Sequence, residues 1–202
     1  DAATPQTMLT AGIHKAYEDG IARLAENADV TTVARGTKSD GGQCGQAAIF
    51  AVDAPAFLAE RSIAEEVFGA SSLVVRCADE AELATVIASL EGQLTATLQF
   101  DEADTLMASR LMPHLEAKVG RLLANAWPTG VEVAHAMLHG GPFPATSDGR
   151  STSVGSLAIN RFLRPICYQD IPDALLPPEL RNDGDALAPR RIDGKLVAGG
   201  QG

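Results

Sequence analysis

Aromatic side chains are scarce in this sequence, at 4% of 202 residues, so any core must rest on Ala, Val, Leu and Ile. Cysteine is scarcer still. Cys44, Cys77 and Cys167 are an odd number, widely spaced and without a CxxC pair, which excludes a disulfide framework and a zinc knuckle and suits a reducing compartment. Basic charge is also in short supply: 16 Lys and Arg against 26 Asp and Glu give a formal net charge of −10. No basic patch emerges to release counterions, which argues against nucleic acid as a partner. No apolar run approaches the ~20 residues that cross a bilayer. No basic-then-apolar leader is present either. The chain opens on Asp1-Ala-Ala-Thr-Pro-Gln-Thr7 without an initiator Met, so it is expected to be cut from a longer protein. What remains, 46% hydrophobic and 21% charged, describes an ordinary soluble domain, expected in the cytoplasm and handling a small molecule.

Periodicity lays out an alternation of helices and strands. Residues 7–27 form an amphipathic helix with Met8, Ile13, Tyr17, Ile21 and Leu24 on one face, begun by Thr4, Pro5 or Thr7. Residues 28–46, rich in Gly, Thr, Asp and Lys, read as a loop. Ala47–Val52 and Ser72–Cys77 are apolar runs of strand length, and Asp53–Val67 between them mixes helical and loop character. Asp79 caps a helix to about Leu90, with Glu80 and Glu82 at the positive end of its dipole, and Gly92 stops it. Leu94–Phe100 alternates as a half-buried strand. Asp101 caps the next helix, with Leu106, Leu111 and Leu115 inward and Pro113 set to kink or shorten it. Gly120–Asn125 is strand-like, and 126–152 is a long loop of the kind that carries function. Ser153–Leu163 returns to helix and Pro165–Gln169 to a strand, and a tail follows. Strands alternating with helices make an α/β sheet.

Several chemical signatures fall short. Gly36-Thr-Lys-Ser-Asp-Gly41 has phosphate-loop spacing, but Gly42 and Gln43 stand where Lys and Ser or Thr are needed. His135 and His139 lie four apart with Glu132 nearby. Ala136 occupies the place of a water-activating Glu, however, and Gly140-Gly141-Pro142 ends any helix, so no metal site is expected. Cys44 sits in the Gly-rich run Gly41-Gly-Gln-Cys-Gly45, yet no residue near it in sequence except Lys38 would lower its pKa, and a plain loop cysteine is the expected role.

One stretch holds up better: Glu65-Glu66-Val67-Phe68-Gly69, then Ser71–Val75, then the acidic cap Asp79-Glu-Ala-Glu82. Two solvated glutamates and one core aromatic would explain it. So would a carboxylate that accepts hydrogen bonds from a ribose diol while the adjacent ring packs on a flat heterocycle. Chemistry alone favours the first explanation.

That block resembles the Glu-Glu-Ile/Val-Phe-Gly-Pro block of the aldehyde dehydrogenase superfamily, and the order downstream matches as well. Leu94–Phe100 resembles a family strand, Gly120-Arg-Leu-Leu-Ala-Asn125 resembles its Gly-x-x-x-x-Asn strand, and Pro142-Phe143 falls where the family has Pro-Phe-Gly-Gly. Within the family, Thr7–His14, Asn125–Val133 and His139–Ser147 look most like the branch that contains α-ketoglutaric semialdehyde (2,5-dioxovalerate) dehydrogenases. Likeness extends from about residue 7 to 180.

The resemblance implies an α/β fold: residues 1–163 as the C-terminal portion of the catalytic domain, an open Rossmann-like sheet flanked by helices, and 164–202 as an oligomerisation strand and tail. Glu66 would bind the ribose of NADP or NAD, Phe68 would meet the nicotinamide, and Phe143 would line the aldehyde pocket. Two departures stand out: Ala70 replaces the usual Pro, and Pro144-Ala145 replaces Gly-Gly. In the family a cysteine thiolate attacks the aldehyde and a glutamate-activated water later hydrolyses the thioester. By the family's order those groups precede residue 1, so no catalytic residue is expected in this chain, and Cys44 stands too close ahead of Glu66 to replace the thiol. The only Gly-x-Gly, Gly200-Gln-Gly202, has no helix after it and makes no dinucleotide fingerprint. The implied partners are a small aldehyde substrate and further copies in a homo-oligomer, with no membrane. Two other readings stay open: a non-catalytic α/β scaffold or self-association module, and an unrelated binding domain.

Overall fold

The computed structural model describes residues 3–39, 41–182 and 189–197. Asp40 of the failed phosphate-loop motif and Gly200-Gln201-Gly202 lie outside the described residues. The chain divides into two units, one ending at Arg161 and the other beginning at Phe162.

In the first unit a two-residue strand, β1 (Gln6–Thr7), precedes helix α1 (Ala11–Glu26). The helix starts four residues later than periodicity suggests. Thr7 is held in an antiparallel pair with Cys44, and Thr10 is the residue whose hydroxyl caps the Ile13 amide, at 3.2 Å. Tyr17, Ile21 and Leu24 face inward as expected. The expected loop 28–46 contains two strands, β2 (Thr31–Arg35) and β3 (Cys44–Gly45). All five residues of β2 are exposed, so no apolar alternation announces it.

β2 pairs antiparallel with β4 (Ala48–Asp53), interrupted by a bulge between Thr32 and Ala34. β4 in turn pairs parallel with β5 (Ser71–Arg76), Ala48 opposite Ser71 through Asp53 opposite Arg76. Parallel strands need a long crossover. Here it consists of α2 (Ala54–Ala59), opened by Pro55, then a 3₁₀ turn over Arg61–Ala64 and an extended stretch to Ala70. A second parallel pair, β6 (Thr95–Leu98) with β7 (Arg121–Ala124), is flanked by α3 (Glu80–Ser89) and α4 (Thr105–Glu116). The α/β class is as expected, with the sheet present as a three-stranded and a two-stranded piece.

The caps follow the sequence closely. Asp79 accepts from the Glu82 amide at 2.9 Å, and Glu82 reaches back to the Ala78 amide at 2.6 Å. Asp101 caps a 3₁₀ turn, Glu102–Asp104, that leads into α4. Pro113 sits inside α4 without ending it. Leu106, expected inward, is 74% exposed. The buried stripe of α4 is Ala108, Leu111 and Leu115, and a residue two before Ala108 lies on the opposite side of a helix.

Two apolar clusters result. Tyr17, Ile21, Leu24, Phe50, Val52, Phe57, Ile63 and Val86 form the larger, and Ile87, Leu111 and Leu115 centre the smaller against Ala96, Leu98 and Leu122. Arg110 of α4 ties itself to Glu80 of α3 through two bonds of 2.6 Å.

In the second unit, Pro165–Gln169, expected as a strand, forms no ladder among the described residues. A strand exists only with a partner, and Pro165 has no N–H to offer one. The expected helix Ser153–Leu163, which reaches the junction of the units, is a 3₁₀ helix over Ser156–Phe162. The tail ends in a hairpin of β8 (Arg190–Ile192) and β9 (Lys195–Val197), turned by Asp193-Gly194, both with positive φ.

Two stability predictions follow from these contacts. Gly69→Ala forces a Cβ into the Tyr17 ring and should cost about 1–3 kcal/mol in urea unfolding, whereas Gly41→Ala, with no atom within 4 Å, should stay within about 0.5 kcal/mol. The Arg110 guanidinium holds the Glu80 carboxyl below its ordinary range, chiefly by hydrogen bonding. The pair's stabilisation is therefore complete above the ordinary glutamate range and is lost as pH falls through the depressed folded value. Melting curves from pH 7 to pH 3 should show Arg110→Gln losing less stability than the unsubstituted protein.

Candidate functional site

The end of the β4–β5 crossover is an extended strip, Glu65–Ala70, laid against α1. Tyr17, Gly20 and Arg23 recur every three residues and so share one helical face. Each receives one feature of the strip. The Tyr17 ring is fully buried, and a Cβ on Gly69 would collide with it. Its hydroxyl lies 2.6 Å from the Gln46 carbonyl and 3.1 Å from that of Ala70, and shares its one proton between them. Burial raises the Tyr17 pKa, opposed by Arg35 and reinforced by Glu18. Gly20 leaves room for Val67, whose Cγ1 would stand 2.8 Å from a Cβ there. Arg23 pairs with Glu65 at 3.0 Å and donates to the Ser62 carbonyl.

An extended backbone turns successive side chains to opposite sides. With Glu65, Val67 and Gly69 turned to α1, Glu66 and Phe68 are the outward members. Glu66 is exposed and makes no hydrogen bond or ion pair among the described residues, and Phe68 is 69% exposed. The strip is closed by Ser71, whose hydroxyl donates to the Val67 carbonyl at 3.2 Å, and by the Ala48 amide, which donates to Ala70 at 3.0 Å. An unpaired carboxylate beside an open aromatic face, on a backbone clamped from behind, can accept two hydroxyl hydrogen bonds and stack one planar ring. The Glu65–Glu66 pair is thereby divided into one anchored and one free carboxylate, a distinction that residue type and spacing do not make.

Phe143 stands on a different element, the loop after β7, and shares no hydrogen bond with the strip among the described residues. It is 82% exposed at the crest of a turn closed by the Ala145 amide on the Pro142 carbonyl, at 2.9 Å. The loop runs hard against Gly92 and Gly120, where an added Cβ would strike its backbone, and a Cβ added to Gly141 of the loop would strike the Gln93 carbonyl. Thr152 holds it. This buried hydroxyl accepts from the His139 amide at 2.8 Å and donates to the Val154 carbonyl at 2.8 Å. Only a threonine at the end of a polar run marks it in the sequence, too weak a signal to find. Asp148 is held below its usual range by the Arg150 amide first and then by Ser151.

Asn125 takes a left-handed conformation and clasps Phe100 with both ends of its amide, at 2.9 Å each, joining the ends of β6 and β7. Cys44, expected in a loop, lies in β3 with its sulfur 3.6 Å from the Thr7 hydroxyl. Cys77 is pushed up by burial and by Glu82 and Asp79, which disfavours its thiolate. Among the described residues no group of three His, Cys, Asp or Glu side chains is placed to hold a metal, and no helix is long and apolar enough to cross a membrane.

No family model matches the chain. It is 54% identical over 188 residues to α-ketoglutaric semialdehyde dehydrogenase 2 of Azospirillum brasilense, covering 93% of this chain and 36% of that protein. Identity to the α-ketoglutaric semialdehyde dehydrogenase of Acinetobacter baylyi is 44% over 196 residues, 96% of this chain and 37% of that one. The chain thus spans little more than a third of these relatives. Among solved structures, the Δ-pyrroline-5-carboxylate dehydrogenase of Mycobacterium tuberculosis superposes with a TM-score of 0.62 at 19% identity, over 85% of this chain and 32% of the other. Betaine aldehyde dehydrogenase of Staphylococcus aureus, in complex with NAD+, gives 0.59 at 18% identity, over 77% and 29%. At such identities these two speak for the fold alone. Over nearly its whole length, then, this chain is similar in sequence to a segment of two α-ketoglutaric semialdehyde dehydrogenases, and it shares the aldehyde dehydrogenase fold.

Proposed function

We propose that the chain is the C-terminal part of an NAD(P)-dependent aldehyde dehydrogenase that oxidises a small oxo-acid aldehyde, of the α-ketoglutaric semialdehyde type, to its carboxylate. The 54% identity to the Azospirillum enzyme, maintained over nearly the whole chain, carries this reading. In it the strip Glu65–Ala70 is the wall against which the nicotinamide half of the cofactor rests. Glu66 accepts the ribose hydroxyls, which suits a carboxylate with no internal partner. Phe68 offers its open face to the nicotinamide, and α1 keeps both from receding. When bound, the dinucleotide supplies the hydride acceptor. Phe143, at the crest of its anchored loop, forms part of the substrate wall and excludes water from it.

The nucleophilic thiol belongs upstream of this chain. Burial and the neighbouring Glu82 and Asp79 disfavour the Cys77 thiolate, and neither Cys44 nor Cys167 has a histidine or lysine partner among the described residues. Three free thiols suit a reducing cytoplasm. The run Leu163–Gln169, before the left-handed bend at Asp170, exposes Leu163, Ile166 and Tyr168 beside backbone that joins no ladder among the described residues. Such a run fits a strand that completes the sheet of a neighbouring subunit.

In the complete enzyme, Glu66→Gln should raise KM for NAD(P) by roughly 10- to 100-fold, the loss expected for hydrogen bonds to a charged acceptor. An unchanged cofactor dependence would remove Glu66 from the site. The present chain alone, incubated with aldehyde and NADP, should reduce no cofactor. Turnover that disappears on Cys44→Ala would overturn the upstream placement of the thiol.

A further inference from the structure

Two adjacent glutamates are chemically interchangeable, and only one can face the cofactor. We propose that Arg23 is the positioning residue that decides which, by drawing Glu65 to α1 and so turning Glu66 outward. The proposal rests on the reading of Glu66 as the ribose ligand.

Arg23 occupies the last turn of α1, on the face that also carries Tyr17 and Gly20. Its guanidinium meets the strip at the point where the 3₁₀ turn gives way to extended chain. There it holds two acceptors at once, the Ser62 carbonyl inside the turn and the Glu65 carboxylate just past it. Both oxygens meet one nitrogen, Nη1, so a single guanidinium amino group bridges the backbone of the turn and the Glu65 carboxylate. The Glu65 amide also bonds back to the Ser62 carbonyl, at 3.4 Å, so Arg23 and the turn grip the same point. Beyond it the backbone alternates, and anchoring Glu65 commits Glu66 to the opposite side.

The pair is too exposed to matter much to stability, since 36% of the Arg23 side chain and 65% of that of Glu65 remain accessible. Its effect is therefore on orientation and on charge. Glu60, Glu65 and Glu66 lie on successive parts of the same crossover. Glu60 is engaged by Ser62 and Asn27, while Arg23 is the cation paired with Glu65. Without it, two adjacent carboxylates would compete for the same outward position, in front of a ligand that is itself an anion.

The test is steady-state kinetics of the complete enzyme with NAD(P) varied. Arg23→Gln should raise the cofactor KM about fivefold to tenfold while kcat stays within about twofold, well short of the roughly 100-fold loss from misplacing a reacting group. Arg23→Lys, which restores the charge but not the guanidinium's reach and shape, should recover part of the effect, and it supplies the same readout if the Gln variant fails to fold. Arg61→Gln, which breaks the exposed pair with Glu91 on the same turn, is the control and should leave KM unchanged. A cofactor KM untouched by Arg23→Gln, with or without a lower melting temperature, overturns the positioning role. If Glu66→Gln raises KM and Arg23→Gln does not, only this proposal falls; if neither does, the reading of Glu66 falls with it.

Discussion

The structure depends on the seating of Tyr17. One fully buried ring lies against Gly69, while its hydroxyl ties together the Gln46 and Ala70 carbonyls at the entrances to β4 and β5. Those two strands begin the parallel ladder, so a single side chain of α1 sets both where the ladder starts and how the crossover returns to it. Burial of a phenol is tolerated only because its polar end is satisfied. The absence of a side chain at position 69 is equally necessary, because any Cβ there would occupy the volume of the ring.

From this seat the geometry of the site follows by register. Tyr17, Gly20 and Arg23 advance along one face of a helix, and the strip opposite advances by alternation, so contacts fall on residues 69, 67 and 65 in turn. The helix runs one way and the strip the other. Residues 66 and 68 are left facing away from α1 because an extended chain has only two sides. The exposed Glu66 and Phe68 are thus a product of backbone geometry and of three α1 residues, Tyr17, Gly20 and Arg23.

Local signals in the sequence carried much of the fold. Asp79 with Glu82, and Asp101 with Asp104, cap their turns as spacing implies, because capping is a contact among residues three or four apart. The inward faces of α1 and α3 and the strands β4 to β7 were legible for the same reason. β2 was not, since an edge strand exposed along its whole length has no hydrophobic pattern and owes its conformation to β4. Leu106 misled because a run of leucines permits more than one stripe, and packing against Ile87 and Leu122 selected the one through Leu111. Pro165–Gln169 has strand-like composition, yet a strand is a relation between two segments, and the described residues provide no second one.

The block Glu65–Gly69, the Gly-x-x-x-x-Asn strand and the Pro142-Phe143 loop carry, as an ordered set, the resemblance to the superfamily, and in this chain two of them hold residue types that their backbones require. Asn125 must tolerate a left-handed turn and bridge two strands, and Gly69 must make room for a ring. Sequence therefore determined the α/β class, the caps and the stretch that holds the candidate site. Tertiary structure alone decided that Glu65 is anchored and Glu66 free, that Thr152 holds the Phe143 loop, and that Tyr17 joins two strand entrances. Those contacts link residues distant along the chain, and no local pattern records which partner a side chain will meet once the chain has folded.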